Sequence, residues 1–567
     1  MARLRAVADV APSPASRAVQ RRNGAVSLGT RLLDPACYPH PVGRIRIVET
    51  HISWVLLTGE YAYKIKKPVD LGFVDFSTLR KRRAACIAEL KLNRRLAPDL
   101  YLEVVEIRGD ALAPHVGGDG PVLDYAVRMR EFPQADLASR ALARGKFGAA
   151  EIDRLATRIA EFHARAGAAT GADRLGTPAT VRAAALQNFE QMRPGVKLAR
   201  DARTLQALRR WTEREFALLE DTLAARKRDG LVRECHGDLH LGNIVLIGGA
   251  PVPFDCIEFD DALRWIDVMS EMAFAVMDLE DRRRPDLAWR LLNRYLESTG
   301  GYAGVRVLRF YLVYRALVRA KVHLMRSRQR GLARSDQARL LRAFHAYLAL
   351  AQRFATAGHA GIVITHGLSG CGKTTFTQAL LQALGALRVR SDLERKRLHR
   401  LPPLARSRST VAGGIYTARA DAATYRRLAE LAGTIAQAGF PAVVDATFLT
   451  RSEREAFRAV ADALDVPFVI LNMEAPLALL RERLRARSTR TDDASEAGLV
   501  VLEHQLAARE PLTPAEMAAS IRVDASRAPA PETLRAVARR LLPPTPRRPR
   551  APRRRGQAAA ARGRSSL

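Results

Sequence analysis

Cysteine is scarce and follows no pairing pattern. The 567-residue chain holds five, Cys37, Cys86, Cys235, Cys256 and Cys371. The number is odd and none forms a C-x-x-C pair. Neither a disulfide framework nor a zinc site is expected, and a reducing, cytoplasmic setting follows. No run of eighteen apolar residues exists, so no membrane span is expected. Met1 to Gly24 carry scattered arginines with no apolar core, unlike a signal peptide. Acid is also short: 59 Asp and Glu face 92 Lys and Arg, a formal charge of +33. Nearly all of the excess is arginine. Such a balance suits an anionic partner such as nucleic acid. It equally follows from a GC-rich genome's preference for arginine codons, and that plainer reading is preferred.

What remains is ordinary for a globular protein. Apolar residues make up 48%, and the length exceeds one core, so three or four domain-sized units are expected. The ends are exceptions. Residues 1–28 are rich in Ala, Arg, Pro and Ser, and residues 543–567 hold eight arginines and no acid. Neither can build a core, and both are expected to be disordered. Nucleic-acid contact is expected, if anywhere, through this basic tail; an inert tail fits as well.

The chain is organised around His236-Gly237-Asp238-Leu239-His240-Leu241-Gly242-Asn243, set between two apolar runs. Asp255 follows in Pro253-Phe254-Asp255. Phosphoryl transfer needs a carboxylate on the acceptor hydroxyl, and an amide oxygen and second carboxylate for magnesium on the nucleotide. Asp238, Asn243 and Asp255 supply these in the Asp-x-x-x-x-Asn spacing of protein kinases. Asp and Asn also favour turns; His236, Gly237 and the downstream Asp255 lift the stretch above a polar turn.

Upstream, Ile52–Leu57 and Tyr61–Lys66 flank Gly59-Glu60 and read as a hairpin. Lys64 and Lys66 share one face of its second strand. A strand lysine on the α/β-phosphates needs a helix glutamate, and the helical stretch of about 79–96 offers Glu89. Lys64 or Lys66 can be its partner; Lys64 is taken first. Strands are expected near Tyr101–Ile107 and Leu123–Met129, with a hinge at Met129–Pro133. Helices are expected over 147–226 and 265–355. His163 reads as structural, Asp267 as a helix cap, and Arg315 and Arg319 as a solvated face.

Beyond a boundary near Gly358, the apolar Gly361–His366 leads into Gly367-Leu368-Ser369-Gly370-Cys371-Gly372-Lys373-Thr374-Thr375. This is a complete P-loop, G-x-x-x-x-G-K-T, for ATP or GTP. Its glycines let backbone amides, those of Ser369 and Cys371 included, curl round a phosphate. Lys373 reaches the β/γ-phosphates, Thr374 binds magnesium, and the helix opening at Thr374-Thr375 presents its positive end. Strands ending at Asp392, Asp445 and Asn472 suit a parallel sheet with ligands at its carboxyl edge.

The His236–Asn243 stretch, with Ile257–Asp267, resembles the Brenner-type motif of aminoglycoside phosphotransferases and their kinase-like relatives. The likeness covers roughly residues 30–350, although no G-x-G-x-x-G loop precedes the lysine strand. The second half resembles small P-loop kinases. That likeness makes Asp392 an acceptor-side aspartate and Arg483 and Arg487 lid residues closing on the phosphoryl group. Asp445 could instead be the carboxylate linked to the metal. The whole chain is similar to bacterial proteins that fuse an aminoglycoside-phosphotransferase domain to an AAA-family, zeta-toxin-like ATP-binding domain. The expected fold is thus an α+β kinase-like domain over 29–355 (small lobe 29–130, large lobe 131–355). An α/β P-loop domain with a parallel sheet follows over 356–542. The expected cofactors are ATP and Mg2+, and the expected partner is a small hydroxylated phosphoryl acceptor. A regulatory ATP-binding protein and a nucleic-acid kinase are the alternatives.

Overall fold

The computed structural model describes residues 27–541 apart from 71, 73, 330, 357, 408, 410–412 and 489–494. The expectations for residues 1–26 and for the tail after 542 lie outside the described residues.

The small lobe is a six-stranded sheet in the order β1-β2-β3-β6-β4-β5. Its strands are β1 (Arg46–Glu49), β2 (Ser53–Leu57), β3 (Tyr61–Lys66), β4 (Tyr101–Gly109), β5 (Pro114–Val116) and β6 (Val122–Arg130). All neighbours are antiparallel. The expected hairpin is β2–β3, whose register pairs Val55 with Lys64 and Ser53 with Lys66. The edge strand β5 is short, and the sequence reading did not anticipate it. Helix α1 (Leu79–Asn93) starts where the Thr78 side chain accepts from the Lys81 amide, and it buries Cys86, Glu89 and Leu92. Past β6, the Glu131 amide donates to Glu60 O, and its carboxylate accepts from the Gly59 amide at 2.7 Å. The expected hinge is thereby tied to the β2–β3 turn.

The large lobe is mainly helical. Helices α2 (Ala149–Arg165) and α3 (Ala199–Arg228) precede two small ribbons. One pairs β7 (Val232–Glu234) with β10 (Trp265–Asp267), the other β8 (Ile244–Ile247) with β9 (Ala250–Pro253). Trp265–Asp267 is thus a strand. The Asp267 carboxylate then caps α4 (Val268–Asp281) by accepting from the Met269 amide, and it pairs with the buried Arg226. Helices α5 (Pro285–Thr299), α6 (Val305–Ser327) and α7 (Arg334–Ala355) complete the lobe.

The C-terminal sheet runs β12-β13-β11-β14-β15 and is parallel throughout. Its strands are β11 (Gly361–His366), β12 (Leu387–Arg390), β13 (Pro441–Asp445), β14 (Phe468–Glu474) and β15 (Ser520–Asp524). Every residue of β11 is buried, as its unbroken apolar run requires of a strand covered on both faces. The named helices here are α8 (Lys373–Leu384), α9 (Ser391–Leu398), α10 (Ala418–Gln437), α11 (Leu477–Ser488) and α12 (Leu499–Ala508).

The two halves share one interior. A single apolar cluster extends from Ala138 and Phe274 through Leu308 to Val444 and Ile470. At the junction Gly385, with φ +64°, lies against Trp289; a Cβ there would stand 2.8 Å from the indole. Asn293 donates to Ala386 O and accepts from the Arg388 amide. The Tyr302 hydroxyl donates to Arg388 O. Among the described residues, no helix is long and apolar enough to cross a membrane.

Candidate functional site

Strand β3 and helix α1 bring three charges into one buried row. Glu89, fully buried, accepts from Lys64 at 2.5 Å through one oxygen and pairs with Lys66 at 2.6 Å through the other. Both candidate lysines therefore reach the glutamate. Their second partners separate them: Lys64 also holds Asp255, whereas Lys66 is closed off by Glu258. Lys64 is 12% exposed and Lys66 not at all, so only Lys64 faces the cleft. Burial works against both ammonium charges, but the carboxylates outweigh it and raise both pKa values. Two lysines against Glu89, Asp255 and Glu258 leave the cluster formally one negative charge in excess, a balance that suits an added cation.

Asp255 adopts φ +64°, a left-handed backbone that is uncommon for a residue other than glycine. Its amide donates to the buried Tyr101 hydroxyl at 3.1 Å, and the Cys256 amide donates to Asn93. The strain turns the Asp255 carboxylate toward Lys64, and such outliers concentrate at functional sites. Burial opposes its ionisation; Lys64 and Lys66 prevail and lower its pKa.

The loop carrying Asp238 is held from beneath. Glu271 on α4 accepts from the His236 and Gly237 amides at 2.7 and 2.8 Å. Asp278, about two turns further along α4, accepts from the Leu241 amide. Gly237, at φ +87°, sits so close to Leu263 O that a Cβ would approach it to 2.7 Å. The His236 Nε2 donates to Phe254 O, and its Nδ1 accepts from the Asp238 amide. Burial keeps this imidazole neutral by lowering its pKa. Asn243 donates to the Asp238 carboxylate at 2.9 Å, and the His240 Nε2 stands 3.5 Å from that carboxylate. Burial disfavours the Asp238 charge, yet His240 and Arg319 outweigh it and hold the carboxyl below the usual range. Asp238 is ionised and partly exposed to the cleft.

Two sequence expectations change here. Arg315 is not on a solvated face: it is buried and donates to Gly237 O and Ser270 O. Arg319 has a Nε atom sealed from water without a hydrogen-bond partner. The i, i+4 spacing was right, but the face turns inward onto the Asp238 loop. The acids after the motif are already engaged within the protein. Glu258 is taken by Lys66, Asp261 by Arg264, and Asp260 caps a short helix. His163 is structural, with its Nδ1 at 2.9 Å from the Tyr295 hydroxyl.

The P-loop wraps the start of α8. Gly370 and Gly372 lie at φ +86° and +81°, which only glycine adopts at little cost. Lys373 reaches back to Gly367 O and Leu368 O at 3.1 and 3.0 Å. Cys371 is buried and Thr375 exposed. The Thr374 hydroxyl donates to Asp445 at 2.8 Å, so Asp445, at the end of the neighbouring strand, shares the hydroxyl read as a magnesium ligand. Asp392 lies on the first turn of α9. Arg483 donates to Gly370 O and Ala525 O, bracing the loop rather than pointing over it. The Arg487 side chain lies outside the described residues. The sequence reading missed Gln505 on α12, whose side chain accepts from the Ser369 amide at 2.8 Å. It also missed Arg388, which donates to Thr374 O and Thr377 while pairing with Glu297 of α5.

Both sites fit magnesium by their donors. Asn243 and Asp255 offer an amide oxygen and a carboxylate beside the negative cluster, and Thr374 and Asp445 offer a hydroxyl and a carboxylate.

A family model described as an AAA domain matches residues 362–512. An uncharacterized protein of Mycobacterium tuberculosis is 28% identical over 466 residues, 82% of this chain and 91% of its own. Another of Mycobacterium bovis matches to the same extent. Among solved structures, a gluconokinase from Sinorhizobium meliloti is 20% identical, covering 33% of this chain and 91% of its own, with a TM-score of 0.23. A choline/ethanolamine kinase family protein from Mesorhizobium loti is 12% identical, covering 55% and 93%, with a TM-score of 0.33. The chain thus joins a two-lobed domain, a six-stranded antiparallel sheet followed by a helical lobe, to a domain with a parallel five-stranded sheet and a P-loop that is similar to AAA domains over residues 362–512.

Proposed function

We propose that the protein is an ATP-dependent phosphotransferase acting on a small hydroxylated molecule. Transfer takes place in the kinase-like cleft, and the P-loop is a second nucleotide site. The observation that carries this reading is the Glu89–Lys64–Asp255 ion-pair row beside the Asn243–Asp238 hydrogen bond.

In that reading Lys64 meets the α/β-phosphates, and Glu89 keeps its ammonium in place. Asp238 accepts the acceptor's proton as the hydroxyl oxygen forms its bond to the γ-phosphorus and the bond to the ADP oxygen breaks. Its low pKa makes it a positioning base that takes the proton late, which suits a loose transition state. Asn243 orients Asp238 and, with Asp255, would hold magnesium, which neutralises phosphate charge when bound.

The test uses the full chain, because the two halves share a core. In a Lys373→Ala/Thr374→Ala background, Asp238→Ala should lower ATP-dependent phosphorylation of a metabolite mixture by roughly two to four orders of magnitude. Undiminished phosphorylation would remove Asp238 from the chemistry. A second reading makes the P-loop a regulatory switch; it is favoured by the Arg388 tie from Thr374 to the large lobe.

A further inference from the structure

One face of α6 lies beyond Asp238 and carries Arg315, Arg319, His323 and Arg326 at helical spacing. Arg315 is used up by the Gly237 and Ser270 carbonyls. Of the other three, Arg319 hydrogen-bonds the Tyr347 hydroxyl. Among the described residues, neither Arg319 nor Arg326 forms an ion pair. Both the Arg319 Nε and the His323 Nδ1 are sealed from water without a hydrogen-bond partner. His323 stacks on Tyr347 of α7, with ring centres 5.4 Å apart at 13°, and Arg319 lies 5.8 Å from the same ring. Arg339 of α7 adds its charge, although it also pairs with Asp336. At the far end Gln329 bonds His51, in the turn between β1 and β2.

The nearby acids Asp278 and Asp238 favour the charge on Arg319 but do not act on Arg326. Asp278 is occupied by Arg282 and the Leu241 amide, and Asp281 lies against Tyr347. Arg326 is an exposed residue; partial desolvation and then Arg319 and Arg339 push its guanidinium down, with no acid acting on it. His323 is pulled down to about 4 by burial and the same arginines. Arg326, beside Arg319 and Arg339 and without a carboxylate of its own, is the kind of group that a bound anion completes.

The side of the cleft is also fixed. Arg319 acts on Asp238, the acceptor-side group, whereas Asp255 is governed by Lys64 and Lys66 on the nucleotide side.

We propose that the acceptor is a hydroxylated anion, a phosphorylated or carboxylated small molecule. Its negative group is held by Arg319, His323 and Arg326 while Asp238 faces its hydroxyl. This deepens the phosphotransferase reading and rests on it for the chemistry, but not for the binding. It excludes polycationic acceptors, because Arg319 and Arg326 would repel them.

The test uses matched acceptors: glycerol with glycerol 3-phosphate, glucose with gluconate and glucose 6-phosphate, and choline and kanamycin as cations. Each is titrated calorimetrically into the full chain saturated with ADP and magnesium, and each is assayed for ATP-dependent phosphorylation. At least one anionic member should bind tenfold or more tightly than its neutral counterpart and lose that advantage at high salt. Arg326→Ala should remove the preference, Arg326→Lys should restore part of it, and the KM for ATP should move less than twofold. A shift in the KM for ATP as large as the shift for the acceptor would assign the arginines to the γ-phosphate instead and overturn the proposal. So would equal or tighter binding of the neutral or cationic members, or no anionic preference in any pair. Anion-selective binding without phosphorylation would uphold the anion site and remove the phosphotransferase reading.

Discussion

Replacing Glu297 by Ala should loosen the P-loop from a distance. Glu297 and Arg388 are buried at the junction of the two halves, 4% exposed each as side chain and residue respectively. One carboxylate oxygen takes both the Nε and Nη2 of Arg388, at 2.8 and 2.7 Å. The remaining guanidinium nitrogen donates to Thr374 O and the Thr377 hydroxyl at 3.1 and 3.2 Å. Removing the acid leaves a guanidinium buried without its counter-charge, which costs about 3–5 kcal/mol. For a unit of 150–250 residues, about 1 kcal/mol moves the thermal midpoint by about 2–4 °C, so a fall of roughly 6–20 °C is expected. Arg388 keeps its bond to the Gln378 side chain at 3.2 Å and can otherwise recover part of that only by turning toward water, which pulls it off Thr374 and the first turn of α8. ADP affinity at the P-loop should therefore weaken as well, although Glu297 touches no part of the loop. Differential scanning fluorimetry and ADP titration of Glu297→Ala, Arg388→Met and the double variant close the cycle. The double variant should be more stable than Glu297→Ala alone, because it no longer buries a lone charge. An unchanged midpoint with unchanged ADP affinity would refute the idea that this pair ties the domains.

Three further outcomes follow from single contacts. Gln505 occupies the Ser369 amide, a group that nucleotide needs, so Gln505→Ala should tighten ADP binding about fivefold, the value of about 1 kcal/mol; weaker binding in calorimetry would make Gln505 a nucleotide ligand. Lys66→Met should mainly lower the thermal midpoint, because Glu258 loses its cation in a closed site, while Lys64→Met should mainly cost phosphotransfer, by about 100-fold. The reverse ranking would make Lys66 the nucleotide lysine. Buried Arg454 pairs with Glu516 at 2.6 Å; burial resists the charge, but Arg454 and the Thr513 amide lower this carboxyl to about 2. Its stabilisation is therefore present above the ordinary glutamate pKa near 4.5 and is lost as pH falls toward 2. Glu516→Gln should cost about 3 kcal/mol at pH 7 and much less at pH 3; an equal cost at both would show that packing, not charge, is lost.

The parts legible in the sequence were those with local causes. The β2–β3 hairpin, the P-loop with its strand and helix, and the Asp267 cap each follow from a few adjacent residues. The pairing of Glu89 with Lys64 or Lys66 was legible because strand alternation put both lysines on one face; the contact of Asp255 with Lys64 was not. What sequence could not supply was the choice between the lysines. That choice depends on Glu258, whose position is set by the turn after Asp255, nearly two hundred residues away in the chain. Arg315 and Arg319 were misread because charge at i, i+4 looks alike on a wet face and on a buried one; only the carbonyls of Gly237 and Ser270, from a loop and another helix, distinguish them. Asp445 gained its place beside Thr374 through the parallel pairing of β11 with β13, a non-local register that strand periodicity does not encode. The shared core was hidden for the same reason: α5 and α8 each read as an amphipathic helix with its own domain to cover.

The number of nucleotides bound distinguishes a chain with two sites from one with a P-loop site alone. Titration calorimetry of the full chain with a non-hydrolysable ATP analogue and magnesium should give two sites per chain. Lys373→Ala/Thr374→Ala should leave one, and adding Lys64→Met and Asp255→Ala to that variant should abolish it. A wild-type stoichiometry of one, lost with the P-loop changes alone, would contradict nucleotide binding in the kinase-like cleft and leave a single P-loop site beside an inactive partner domain.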